Sequence, residues 1–336
     1  MIRDMYASAF LAAAATAAAV SPPQLEPTQV RVRTVVDVFG DEPAPNAYTA
    51  GGSVFAFRTP VRCDSQGTAI LEPYQSLSSG RSNDVLIRLT ASGQRTLLEL
   101  SAAIGLAPGA AANISVTSMD AAGNVYALAS VGSERRVMAS WDNEGQFRWK
   151  RALDESTLAV ELFGVFATGE FLLVAHDRRT REDVVAITDG TSEPRRVEFP
   201  FTKRGDVPER LLAEPGADGR IYLTQALGDR IYAIAPTGSI SASVETARPR
   251  GPDVHLASLH VSRGRIAATY QGKPTGQPLT TPRWVVVHDV DTGRHVATYG
   301  PLPKMLICYQ HLEGGDQFTM LNFAGANWQR LVASVP

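Results

Sequence analysis

The chain predicts an all-β fold, a six-bladed β-propeller in which the N-terminal strand completes the last blade. Three observations predict it. One order of turn and strand signals recurs six times, the recurrences lie 45 to 56 residues apart, and the last copy is one strand short. The stretch "GADGRIYLTQALGDRIYAIAPTGSISASVE", 216–245, shows the unit. A turn, GADG, leads to the strand RIYLTQ, a short link leads to RIYAIA, and a second turn, PTG, leads to SISASVE. Two β-sandwiches sharing the chain are the competing architecture, but a six-fold match in turn order argues for the ring.

At the N-terminus, "MIRDMYASAFLAAAATAAAVSPPQ" carries one basic residue, Arg3, then a small and apolar run from Tyr6 to Val20, then Pro22 and Pro23. This is the pattern of a secretory signal peptide over 1–19 with an Ala-x-Ala cleavage site at Ala17 to Ala19; an alanine-rich helix that stays attached is the alternative. The run is too short to span a bilayer, and no later segment is apolar enough to do so. A periplasmic or secreted protein with no membrane span is expected, its single propeller domain covering 20–336.

The next element, "TQVRVRTVVDVF" at 28–39, is β-branched and alternating, precedes the first copy and has no other place in the count. It is expected to close the ring as the outermost strand of blade six, which removes two exposed sheet edges. The blades follow at about 53–100, 113–153, 158–200, 209–245, 254–299 and 304–335. Their turn glycines are Gly67, Gly123, Gly169, Gly219, Gly264 and Gly315. Their inner strands are expected at SVFAF, ISVTSM, AVELFGVF, RLLAE, VHLASLHV and MLICYQ. Strands such as WVVVHDV are apolar on both faces, which suits sheets stacked between neighbours.

With the ring in place, "HDVDTGRHVATYG" resembles the outer hairpin of the YVTN type of propeller repeat. "DAAGNVYAL" and "GADGRIYLT" resemble inner hairpins of NHL-type and TolB-like six-bladed propellers. The likeness covers about Thr28 to Val335 and implies geometry rather than function. Trp141 and Trp149 resemble the tryptophans of quinoprotein repeats, but a single copy reads as packing. Calcium-dependent lactonases also use six blades; none of their ligands can be matched here residue by residue.

The two cysteines, Cys63 and Cys308, fall late in the inner strands of blades one and six, neighbours across the closure. In an oxidising compartment they are expected to pair as a disulfide pinning the seam, with two buried free thiols as the alternative.

A formal net charge of −2 gives no global attraction to nucleic acid or anionic lipid, so any charged partner must be met locally. The face bearing the hairpin turns carries Asp64, Asp120, Asp142, Glu144, Asp189, Asp218, Asp289, Asp291, Glu313 and Asp316 and is expected to be mildly acidic. The opposite, loop face carries "HDRRTRED", "FTKRGDVPER" and "ARPRGPDVH" in blades three, four and five. There Arg178, Arg179, Arg181, Lys203, Arg204, Arg210, Arg248 and Arg250, with His255, form a candidate rim for an anionic ligand, because guanidinium forks match carboxylate and phosphate. The plainer reading is that Asp177, Glu182, Asp183, Asp206, Glu209 and Asp253 neutralise these bases as surface ion pairs.

No catalytic or cofactor motif is present. His255 and His260 are five apart and by strand alternation point to opposite faces; His176, His288, His295 and His311 are isolated. "DVDTG" at 289–293 lacks the later ligands of a calcium loop and reads as a hairpin turn. "NIS" at Asn113 fits a glycosylation acceptor, though it falls on an expected inner strand. The leading expectation is an exported, monomeric, non-catalytic binding module for a protein, peptide or anionic saccharide, with no cofactor. The alternative is a metal-dependent hydrolase of the lactonase type, using calcium in the central channel, for which Asn113, Glu161, Glu209, Asp253 and His255 are the residues nearest the axis.

Overall fold

The computed structural model describes residues 27–38, 61–72, 84–107, 112–132, 135–153, 156–200, 211–215, 218–225, 230–249, 254–272, 282–324 and 327–335. The expected leader 1–19, the segment 53–57 and the basic loop 201–210 lie outside the described residues; the inner strand of blade one, expected at 53–57, is instead Arg62–Cys63, directly before the turn.

Six antiparallel four-stranded sheets follow one another along the chain. Blade one holds β2 (Arg62–Cys63), β3 (Ala69–Leu71), β4 (Val85–Leu89) and β5 (Arg95–Glu99), followed by a single helical turn, α1 (Leu100–Ala103). Blade two holds β6 (Ala112–Met119), β7 (Val125–Val131), β8 (Arg135–Trp141) and β9 (Phe147–Leu153). Blade three holds β10 (Leu158–Val165), β11 (Phe171–Asp177), β12 (Glu182–Thr188) and β13 (Arg195–Val197). Blade four holds β14 (Leu211–Pro215), β15 (Ile221–Gln225), β16 (Arg230–Ile234) and β17 (Ile240–Glu245). Blade five holds β18 (His255–Ser262), β19 (Arg265–Gln271), β20 (Arg283–Asp289) and β21 (His295–Tyr299).

Blade six is built from both ends of the chain. Its strand order is β22 (Met305–Leu312), β23 (Gly315–Ala324), β24 (Asn327–Ser334), then β1 (Arg31–Asp37) on the outside. β1 runs antiparallel to β24 from Arg31 opposite Ser334 to Asp37 opposite Gln329. Inner strands of successive blades touch all the way round, β22 against β2 included, so the sheets form a closed ring: a six-bladed β-propeller.

The core is divided in the same way. Six apolar clusters each fill the space between two consecutive blades. Between blades six and one, Val38, Leu71, Ile87, Ile307 and Leu321 meet; between blades two and three, Tyr126, Met138, Phe163, Phe171 and Leu173 meet. Strands therefore need apolar residues on both faces, as in β20. Trp141 is 2% exposed within one such cluster and Trp149 packs against Tyr126 and Phe171, so both tryptophans serve packing.

The turns are closed by their own side chains. Asp64 Oδ1 accepts the amides of Gln66 and Thr68, Asp120 Oδ1 those of Ala122 and Asn124, and Asp142 Oδ1 those of Glu144 and Gln146. Asp289 does the same for Thr292 in the hairpin between β20 and β21, so DVDTG is a turn. Several of the carboxylates on the turn face thus hold the turns as well as carrying charge. Gly67 shows why glycine stands in these turns: φ is +81°, and an added Cβ would lie 2.6 Å from Gln310 Oε1.

Latches tie outer hairpins to the next blade. Arg195 donates to the carbonyls of Pro236 and Thr237, and Arg151 to that of Asp189. His288, 1% exposed in blade five, donates from Nδ1 to the Gly293 carbonyl and accepts the Ala247 amide at Nε2, which fixes a neutral imidazole. Burial holds both His288 and its ring neighbour His295 below the ordinary value of 6.5. A depressed folded value means stability that is present above about pH 6.5 and lost as the pH falls through the folded value. The thermal midpoint is therefore expected to drop between pH 7.5 and 5.5. The variant His288→Gln should flatten that slope; an unchanged slope contradicts this role.

Candidate functional site

Each inner strand runs from the loop face toward the turn face, so its first residues reach the loop-face mouth of the central channel. Here four inner strands share a deviation from regular pairing: β-bulges leave Ser115, Glu161, Ala257 and Ile307 without an opposite residue. A bulge re-aims the side chains around it, and at Glu161 it turns a carboxylate outward on the inner strand of blade three.

Glu161 is not alone. His176 at the end of β11 stands opposite Asp183 on β12, with Nδ1 3.0 Å from Asp183 Oδ1. Burial raises the Glu161 carboxyl above its ordinary value; the Asp183 charge adds to this and His176 opposes it. Sequence reading treats His176 as isolated and misses this trio, since only register places Asp183 beside it. The neighbouring wall is formed by Arg136 of blade two, which donates to Ser115 Oγ at 2.9 Å and to the Val160 carbonyl of blade three at 3.5 Å.

Directly beyond this trio comes the hairpin turn Arg178–Arg181. Asp177 is 3% exposed; it accepts the amides of Arg179 and Thr180 and pairs with Arg196 of β13. The Thr180 amide and Arg196 help to hold its carboxyl below the ordinary carboxylate value. Arg181 takes a left-handed φ of 59° to close the turn. Arg178, Arg179 and Arg181 are all exposed, and among the described residues none makes an ion pair or a side-chain hydrogen bond. Two of their expected neutralisers have other partners, Asp177 in Arg196 and Asp183 in His176, while Glu182 is exposed next to Arg181 and the Arg179 charge still acts on Asp177.

The remaining rim residues divide. Arg248 is exposed and His255 is half-buried at the start of β18, while Lys203, Arg204, Arg210 and Arg250, with Glu209 and Asp253, lie outside the described residues. His255 and His260 need a correction. The bulge at Ala257 restores parity, so they stand opposite Gln271 and Ala267, on one face of blade five. They are still about 13 Å apart along the strand, too far for one metal. Among the described residues no group of three His, Cys, Asp or Glu side chains could hold a metal ion. Asn113 is exposed near the start of β6 and already has an interaction partner.

The two cysteines do meet: Cys63 and Cys308 form a disulfide with Cα atoms 5.6 Å apart, joining β2 to β22. No helix among the described residues is long and apolar enough to cross a membrane.

Fold and loop-face geometry define the class as a six-bladed β-propeller. No protein-family model matches the chain, and no curated protein is similar to it. Solved structures are similar in fold. A member of the DUF4221 family from Bacteroides vulgatus aligns with TM-score 0.55 at 9% identity, over 91% of this chain and 97% of that one. A streptogramin B lyase aligns with TM-score 0.45 at 9% identity, over 90% and 98%.

Proposed function

We propose that this chain is an exported binding module of the NHL, TolB-like or YVTN repeat type, whose loop face over blade three captures an anionic group of a peptide, protein or saccharide. One observation supports the reading: Arg178, Arg179 and Arg181 project from a single turn with no ion pair among the described residues, while Asp177 and Asp183 beside them pair with Arg196 and His176. Three uncommitted guanidinium groups on a turn held by a buried, capped Asp177 form a pre-organised anion cradle. Export is supported by the leader-like 1–19 and by the Cys63–Cys308 bridge. A monomer is part of this reading, and the closed ring, with β1 completing blade six, supports it.

Arg179→Glu is expected to weaken binding of an acidic peptide or a carboxylated oligosaccharide roughly tenfold, since a charge-assisted hydrogen bond contributes about 1.5 to 3 kcal/mol. Binding should also fall steeply with salt. Isothermal titration across this panel checks it; equal affinity in the two proteins removes the site.

A second reading, a hydrolase of the lactonase type, gains support from Glu161 alone, a carboxyl raised by burial beside an Asp-oriented imidazole. The described residues do not fit a calcium site, so no step is assigned to a metal. Lactone or ester turnover that disappears in Glu161→Gln would favour this reading over the binding module.

A further inference from the structure

We propose that Cys63–Cys308 is a thiol–disulfide exchange site for a small thiol at the central channel, with Cys63 Sγ as the sulfur attacked and His260 as the group that stabilises the Cys63 thiolate. The inference goes beyond the anion-binding reading and uses none of its residues. Three inner strands converge here. Cys63 comes from blade one, Cys308 from blade six and His260 from blade five, with His260 Nδ1 3.6 Å from Cys63 Sγ. The imidazole therefore reaches past the inner strand of blade six to meet the bridge. His260 is 0% exposed, and its Nε2 stands 3.5 Å from Ser258 Oγ.

The propeller repeat does not require a histidine at this place. Counting from each bulge, the equivalent inner-strand positions hold Ser118, Gly164 and Gln310. A fully buried imidazole against a sulfur is costly to place unless it is partnered, and the sulfur it meets belongs to the more accessible half of the bridge. Cys63 is half-buried, whereas Cys308 is 0% exposed. Of the two halves of the bridge, Cys63 is therefore the one that an incoming thiolate meets first.

Exchange proceeds in two balanced steps. The thiolate of the small thiol attacks Cys63 Sγ; its sulfur bonds to Cys63 as the Cys63–Cys308 bond breaks, and the electron pair leaves on Cys308, which takes a proton. A second thiolate attacks the sulfur of the bound small thiol, forming the oxidised small disulfide and releasing Cys63 as a thiolate. His260 faces that thiolate from Nδ1 as a hydrogen-bond donor. The net change is two thiols oxidised to one disulfide and one cystine reduced to two cysteines.

The folded chain incubated with glutathione at pH 7 and acid-quenched should carry glutathione on Cys63, found by peptide mass mapping. Glutathione on Cys308, or a bridge that resists reduction until the chain unfolds, overturns the proposal. The histidine is tested separately. In Cys308→Ser, iodoacetamide should alkylate Cys63 at pH 7 about tenfold faster than in the same chain carrying His260→Gln, the change expected from one unit in thiol pKa. Equal rates overturn its role. If the serine variant fails to fold, the same comparison is made on the full chain with and without His260→Gln after reduction by dithiothreitol under native conditions. Binding of acidic ligands should be unchanged in all these variants, so this inference and the anion-binding reading fail independently.

Discussion

A chain beginning at residue 40 is expected to unfold at lower urea and to self-associate. The deletion removes β1, which pairs along β24 from Arg31 to Asp37, and takes Val38 out of the cluster between blades six and one. Thr28 is lost as well; its amide donates to the Thr298 carbonyl and its carbonyl accepts the Gly300 amide, so the N-terminal segment also fastens blade five. The side chains of β1 are mostly exposed, with Val35 at 54%, so the strand contributes chiefly through its backbone ladder. Six paired positions and one buried valine are lost together, and the outer flank of blade six is uncovered. The exposed edge of β24 would then be open to pairing with another chain. Urea unfolding and light scattering read both effects; a monomer with an unchanged midpoint would show that the ring does not depend on this closure.

Much of this architecture is legible because turns are local. A turn such as Asp64 to Gly67 or Asp120 to Gly123 needs only its own backbone to specify a tight reversal, and six turn glycines 45 to 56 residues apart predict the blades. The place of β1 is also legible, by counting: a β-branched strand without a blade at one end and a blade without its outer strand at the other. The cysteine pairing follows once the ring is accepted. Cross-strand register is not legible in this way. Bulges at Ser115, Glu161, Ala257 and Ile307 shift alternation by one residue, so His255 and His260 read as opposed and are in fact on one face. For the same reason His176 and Asp183 read as separate surface residues until β11 and β12 are aligned.

Asp316→Ala is expected to destabilise the ring by about 4 kcal/mol. The carboxylate is 7% exposed at the junction of blades five and six and gathers three donors. Tyr299 Oη donates to Oδ2 at 2.6 Å, while Tyr309 Oη and His311 Nδ1 each lie 2.8 Å from Oδ1. Burial and the Asp316 charge raise both phenols well above their ordinary value, so they are held as protonated donors. Tyr309 is 1% exposed and Tyr299 7%, and both rings pack on Phe318, so neither hydroxyl can turn to water without disturbing the cluster between the blades. Removing the acceptor leaves two buried hydroxyls unsatisfied at about 1 to 3 kcal/mol each. For a chain of this length that corresponds to roughly 6 °C in thermal midpoint. Asp316→Asn keeps one acceptor oxygen and should recover part of the loss, whereas Tyr309→Phe made together with Asp316→Ala should cost less than the two changes added. Additive losses in that cycle would mean that the hydroxyl and the carboxylate do not act as a unit.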